Sequence, residues 1–278
     1  MMNDPPPVAV REIVARALAE DIGPLGDLTA SLLPEGRKAA ALYKSRQEGV
    51  LAGSACALET YRQVDDTVAV DWRLDDGADL QPGQVIARVE GLLASILTAE
   101  RTSLNFLCHL SGIATMTRRW VRAAHGGARI WDTRKTTPGL RAFEKAAVRA
   151  GGGVNHRGSL SEFILIKDNH LAGISISDAV RRAKLRWPGR LVEVECDSPE
   201  QVQEALDAGA GMVLLDNMKP HQVRRCSLLV KGKIPIEVSG GIHLDDVADY
   251  ADAGADLISA GAITNSAPNL DIGVDLEE

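Results

Sequence analysis

Residues 191–216 read LVEVECDSPEQVQEALDAGAGMVLLD: an apolar run, a stretch with helical spacing, and a second apolar run that ends on an acid. Leu191 to Glu195 and Met212 to Asp216 have the length and residue types of buried strands, and Pro199 to Asp207 has those of a helix. The unit recurs. Ile234 to Ser239 and Asp256 to Gly261 are strand-like, and helices are expected over Pro220 to Val230 and Leu244 to Ala253. Asp207-Ala208-Gly209-Ala210 also returns 45 residues later as Asp252-Ala253-Gly254-Ala255. Strand-then-helix repeats of this size imply parallel strands with right-handed crossovers, and an α/β barrel, complete or partial, is the economical architecture.

Upstream the pattern is less regular. The spacing predicts a helix over Val8 to Leu18, strands near Ala40 to Lys44, Val68 to Leu74 and Gln84 to Val89, and a helix over Ser54 to Val64. A long helical stretch follows from about Ala94 to Ala124, with a break expected at Ser111-Gly112. On it Arg101, Asn105 and His109 share one face.

The whole chain of 278 residues is 45% hydrophobic and 4% aromatic with 26 glycines, a balance that suits helices on a parallel sheet. No apolar run is long enough to span a bilayer, the start lacks the order of a signal peptide, and the four cysteines show no paired spacing. A soluble, cytoplasmic protein without membrane contact is expected. The net charge of -7 argues against nucleic-acid binding. Charge is unevenly distributed, however: Arg129 to His170 holds eight Lys/Arg against four acids, in a chain otherwise acidic. A basic segment of this kind suits a small polyanion.

Active sites of such barrels lie at the C-terminal ends of the strands, where this chain places Glu195, Asp216, Ser239-Gly240-Gly241 and Gly261. A glycine turn between strand and helix presents backbone N–H groups to phosphate. Asp132 through Gly139 sets Arg134 and Lys135 at another strand end, and Asn155-His156-Arg157 with Lys167-Asp168-Asn169-His170 adds two cations and two histidines. Four cations and two acids fit a multiply anionic ligand with a divalent metal between phosphate and carboxylate.

With these motifs in order, the sequence resembles the quinolinate phosphoribosyltransferases. The resemblance is carried by Glu20-Asp21-Ile22-Gly23 with Gly26-Asp27-Leu28-Thr29, Glu100-Arg101-Thr102 with Leu104-Asn105, Thr133 to Gly139, Asn155-His156-Arg157 and Ile166 to His170. It continues through Glu193-Val194-Glu195, Leu214 to Asn217, Glu237 to Gly241, Gly261 to Thr264 and Ser266-Ala267-Pro268, nearly the whole chain. It implies an N-terminal α/β sandwich over 1–111, with the tail 268–278 packed back on it, and an open α/β barrel over 112–267. It also implies a homodimer with shared active sites.

The implied reaction joins quinolinate to phosphoribosyl pyrophosphate with Mg²⁺, giving nicotinate mononucleotide, pyrophosphate and carbon dioxide. By position, Arg134, His156, Arg157 and Lys167 would hold the quinolinate carboxylates, and Arg101 would reach in from the neighbouring subunit. Lys135, Glu195 and Asp216 would serve ribose, pyrophosphate and metal, with Lys135, Lys167, Glu195 and Asp216 the catalytic set. Ser239, Gly240, Gly241, Gly261 and Asn265 would take phosphate, Asn265 standing where the family usually has His. Three alternatives remain: a related phosphoribosyltransferase-like protein of molybdate-related operons, a non-catalytic phosphosugar-binding barrel, and a barrel aldolase or isomerase with a Schiff-base lysine.

Overall fold

The computed structural model describes residues 5–277 and divides the chain into two units. The first holds the chain as far as Arg118, with Thr137–Gly152 and the segment from Ser266; the second holds Arg119–Thr136 and Gly153–Asn265. The expected division at 111/112 and 267/268 differs chiefly in residues 112–118 and 137–152. Arg118 fastens the latter: its guanidinium donates to the carbonyls of Gly151 at 3.0 Å, Ala150 at 3.3 Å and Gly77 at 3.1 Å. It thereby takes up carbonyls left over at the C-terminus of the helix Arg141–Ala150.

A four-stranded antiparallel sheet organises the first unit, in the order Ile272–Leu276, Lys38–Ser45, Val85–Leu92, Ala69–Trp72. The last strand of the chain thus lies beside its first long one, with Tyr43 opposite Val274. Helices Pro7–Ile22 and Ser54–Val64 belong to the same unit, as does the helix Leu93–Ala123 as far as Arg118. Tyr43, Tyr61, Leu51, Ile86, Ile96 and Leu107 lie in its core, and the Tyr43 hydroxyl meets those of Tyr61 (2.7 Å) and Ser103 there.

The helix Leu93–Ala123 runs without the expected break. Gly112 serves close approach instead, since a Cβ there would collide with the Pro268 carbonyl. Its neighbour Ser111 is occupied through Oγ, which accepts from Ala52 N at 2.9 Å and donates to Ala52 O at 3.1 Å. No helix among the described residues is long and apolar enough to cross a membrane.

In the second unit six parallel strands lie in the order Arg129–Trp131, Leu257–Ser259, Ile236–Ser239, Met212–Asp216, Val192–Cys196, Ile164–Ile166. Helices Ile176–Arg186, Pro199–Asp207, Pro220–Val230 and Val247–Asp252 connect successive strands. Val213, Leu215, Val194 and Val238 are buried, as strands covered on both faces require. The end strands Arg129–Trp131 and Ile164–Ile166 do not pair with each other, so the barrel is open, as expected.

Candidate active site

Register decides which side chains converge. Glu195 lies opposite Leu214, Glu193 opposite Met212, Glu237 opposite Leu214 and Ser239 opposite Asp216. Because alternate residues of a strand share a face, Glu193, Glu195, Asp216, Glu237 and Ser239 all project to the same side of the sheet. At the neighbouring strand Leu165 lies opposite Glu193, and Lys167, two residues on, follows to the same side. Of these, Lys167, Glu195, Asp216, Glu237 and Ser239 line a cavity of about 270 Å³, together with Thr133, Arg134, Lys135, His156, Arg157, Gly240 and Ser259.

Nine of the expected residues therefore meet in one cavity: Arg134, Lys135, His156, Arg157, Lys167, Glu195, Asp216, Ser239 and Gly240. Gly241, Gly261 and Asn265 lie outside its lining. Gly261 packs directly against Lys135, where a Cβ would come within 2.8 Å of Lys135 Cδ, and Thr264 Oγ1 donates to Lys135 O at 2.8 Å. Arg101 is exposed and belongs to the first unit.

Lys167 Nζ is paired with Glu195 Oε2. Arg157 is 8% exposed, lies over the Phe163 ring at 5.7 Å and donates through Nη1 to Phe163 O at 3.2 Å. Burial, then the nearby charge of Arg134, pulls its pKa below the usual arginine value, the mark of cations assembled at some cost. Asp216 Oδ2 accepts from Asn217 Nδ2 at 2.6 Å, and Asn217 itself has φ +56. Gly240, φ +92, sits so close to Asn217 that a Cβ would come within 2.8 Å of the Asn217 backbone nitrogen.

Three buried acids escaped the sequence-based assignment. Asp132 accepts from His156 N at 2.8 Å and Asn155 Nδ2 at 2.6 Å, tying the 155–157 segment to the end of the first barrel strand. Glu193 and Glu237, 0% and 1% exposed, face His156, whose Nε2 is 3.5 Å and 3.3 Å from their Oε2 atoms. The available signal was alternation: each stands two residues before a strand-end residue of the site, Glu195 and Ser239.

Opposing influences act on His156. Burial disfavours a charged ring, while Glu193 and Glu237 draw a proton to it and lift its pKa to about 9. Against them, the Arg157 N–H donates to Nδ1 at 2.8 Å, and a doubly protonated ring would set donor against donor. Burial, opposed by His156 and helped by Glu237, pushes the Glu193 carboxyl up to about 8.

An open parallel barrel with cations, two rim carboxylates and a glycine turn around one cavity defines the class: an α/β-barrel protein built to take a polyanion at its C-terminal rim. Residues 27–111 match the family described as Quinolinate phosphoribosyl transferase, N-terminal domain, and 113–275 match the corresponding C-terminal domain. The chain belongs to the quinolinate phosphoribosyltransferase family. It is 43% identical to the nicotinate-nucleotide pyrophosphorylase [carboxylating] of Mycobacterium leprae, over 99% of this chain and 100% of that one. A probable enzyme of the same name from Bacillus subtilis is 41% identical, over 96% and 93%. Among solved structures, the nicotinate-nucleotide pyrophosphorylase from Francisella tularensis superposes with a TM-score of 0.95 at 37% identity, over 99% and 98%.

Proposed function

We propose that this chain transfers the phosphoribosyl group of phosphoribosyl pyrophosphate to quinolinate and decarboxylates the product to nicotinate mononucleotide, a step of NAD biosynthesis. One observation carries it: Arg134, Lys135, Arg157 and Lys167 share a cavity with Glu195 and Asp216. A dicarboxylated ring and a sugar diphosphate require that mixture of charges at close quarters.

Arg134, Arg157 and Lys167 hold the two quinolinate carboxylates, Arg157 from the most desolvated position. The pyridine nitrogen, a nucleophile without help from a base, attacks the ribose carbon as pyrophosphate departs. Lys135 meets the charge growing on the leaving group, and the turn at Ser239-Gly240 offers backbone N–H groups to phosphate. Glu195 and Asp216 keep negative charge beside a ribose that becomes cationic. Once the ring nitrogen is quaternary, the bond to the adjacent carboxylate breaks, the ring carbon keeps the electron pair as carbon dioxide leaves, and a proton from solvent then completes the C–H bond of nicotinate mononucleotide. Lys167 must then let one carboxylate go, and its pairing with Glu195 gives its ammonium an alternative partner.

Glu195 and Asp216, on adjacent strands and the same face, also suit Mg²⁺, a hard cation bound through one or two carboxylates, waters and substrate phosphates. When bound, it neutralises diphosphate charge. The chain's four described thiols are all free, which supports a reducing, cytoplasmic setting.

The working form is a homodimer. A groove of about 810 Å³ runs along the open edge of the barrel, with Leu160, Leu185 and Trp187 among its lining residues, exposed by 68%, 78% and 55%. Apolar surface this concentrated needs a cover, and Arg157 lines both groove and active-site cavity, so a second copy seated there adjoins the chemistry. Its Arg101 is the residue offered to the neighbouring site. Incubating the purified protein with quinolinate, phosphoribosyl pyrophosphate and Mg²⁺, with nicotinate as control, tests the activity. Nicotinate mononucleotide from quinolinate alone is expected; no product, or equal use of nicotinate, overturns it. Sedimentation of Leu185→Asp tests the dimer, with monomer expected.

A further inference from the structure

Lys135 follows the strand Arg129–Trp131 on a stretch that belongs to no strand or helix, and it is exposed. A long lysine side chain on irregular backbone keeps its ammonium aimed into a cavity only where backbone and stem are both held. Here both are. The Lys135 amide donates to Thr133 Oγ1 at 3.0 Å, and its carbonyl accepts from Thr264 Oγ1 at 2.8 Å. The stem lies along Gly261, where a Cβ would meet Lys135 Cδ at 2.8 Å and Cβ at 3.3 Å. Gly261 and Thr264 come from one short segment beyond the strand Leu257–Ser259. That segment stays beside the neighbouring strand end through a bond from Ala260 N to Trp131 O at 3.2 Å.

The Thr264 hydroxyl has one hydrogen and two carbonyls within reach, Lys135 O at 2.8 Å and Gly261 O at 3.0 Å. Gly261 O already accepts from the amides of Thr264 at 3.1 Å and Asn265 at 3.0 Å, one for each lone pair, so the hydroxyl hydrogen goes to Lys135. This separates Thr264 from a threonine that merely bonds back within its own helix. Thr264 is 1% exposed and stands outside the lining of the active-site cavity. Whatever it does for a ligand it therefore does through Lys135, which lines that cavity with Asp216, Ser239 and Gly240.

We infer that Thr264 is a positioning residue for the pyrophosphate end of the phosphoribosyl donor: its hydroxyl fixes the Lys135 carbonyl, and with it the direction from which the Lys135 ammonium meets the leaving group. This rests on the function proposed above, and it gives a role to a residue that the family resemblance leaves without one. Arg157 and Lys167, two of the three cations assigned to quinolinate, stand on other segments, so the loss of the hydroxyl should fall on the donor.

Steady-state kinetics of Thr264→Val and Thr264→Ser, with each substrate varied in turn, tests this. Thr264→Val keeps the volume and removes the hydroxyl; it should lower kcat/KM for phosphoribosyl pyrophosphate about five- to tenfold, the scale of one lost hydrogen bond, and leave KM for quinolinate within about twofold. Thr264→Ser keeps the hydroxyl and should stay within about twofold of wild type. In a Lys135→Ala background, Thr264→Val should add less than about twofold. An equal rise in both KM values, a serine variant as impaired as the valine one, or a loss undiminished without Lys135 overturns the inference. Should Thr264→Val not fold, Thr264→Ala, which makes room instead of crowding, is held to the same outcomes. Calorimetric titration of each protein with pyrophosphate and Mg²⁺ reads the same contact without turnover: affinity about five- to tenfold weaker in Thr264→Val and restored in Thr264→Ser is expected. Wild-type protein that makes no nicotinate mononucleotide would remove the proposed activity, while this titration would still report on Thr264. Pyrophosphate bound equally by wild type and Thr264→Val, or by neither, overturns the inference.

Discussion

Replacing Arg157 or Lys167 by alanine removes one cation from the same cavity, but the surroundings make the two losses unequal. Arg157 is 8% exposed, whereas the Lys167 side chain is 43% exposed and its partner Glu195 13%. Stripping a desolvated cation from a bound carboxylate costs about 3–5 kcal/mol, because the anion is left buried and alone. Water reaches Lys167 and screens its contribution to about 1–2 kcal/mol. At about 1.4 kcal/mol per decade, Arg157→Ala should lower kcat/KM for quinolinate by two to three orders of magnitude, and Lys167→Ala by about 5- to 30-fold. The measurement is initial rate against quinolinate at saturating phosphoribosyl pyrophosphate, with thermal melts to confirm folding. Equal losses, or a larger one at Lys167, would refute burial as the determinant of their ranking.

Gly240→Ala puts a side chain at φ +92 and against the Asn217 backbone, so a stability loss of about 1–3 kcal/mol and a raised KM for phosphoribosyl pyrophosphate are expected, checked by melting and kinetics. Burial raises all four thiols, Cys56 and Cys196 to about 12; with a thiol-titrating disulfide at pH 8, only the part-exposed Cys108 should react before denaturant is added. Glu144 is buried, which works to raise its pKa, but hydrogen bonds from His109 (3.0 Å) and the Thr137 amide outweigh burial and hold it below 4.5. Its stabilisation is therefore present above about pH 4.5 and lost as the pH falls through the lowered value. Glu144→Gln should cost about 1–2 kcal/mol at pH 7, a gap that closes in acid denaturation profiles as the pH falls through the lowered value.

The barrel was legible because its signal is periodic: apolar runs, acids at their ends and the repeated Asp-Ala-Gly-Ala phrase recur at the interval of a strand-helix unit. The rim residues followed, since strand ends one unit apart converge. What could not be read depends on contacts distant in sequence. Ser111-Gly112 carries the composition of a helix break, and only the approach of Pro268 shows why glycine is needed inside a continuous helix. Glu193 and Glu237 resemble polar members of half-solvated strands; their burial appears only when the register turns both toward His156. Asp132 reads as a turn residue until the segment 155–156 folds back onto it.

The pairing of Ile272–Leu276 with Lys38–Ser45 sets a timetable for biosynthesis. While the ribosome makes the intervening barrel, the strand Lys38–Ser45 has lost no edge to its final neighbour and offers unpaired amides to any extended chain nearby. The N-terminal sheet is completed only when Ile272–Leu276 emerges, so a product stalled or clipped before it exposes a sticky border even where its catalytic barrel is whole. A chain truncated before Ile272 should therefore aggregate or meet proteases more readily than one that carries this strand.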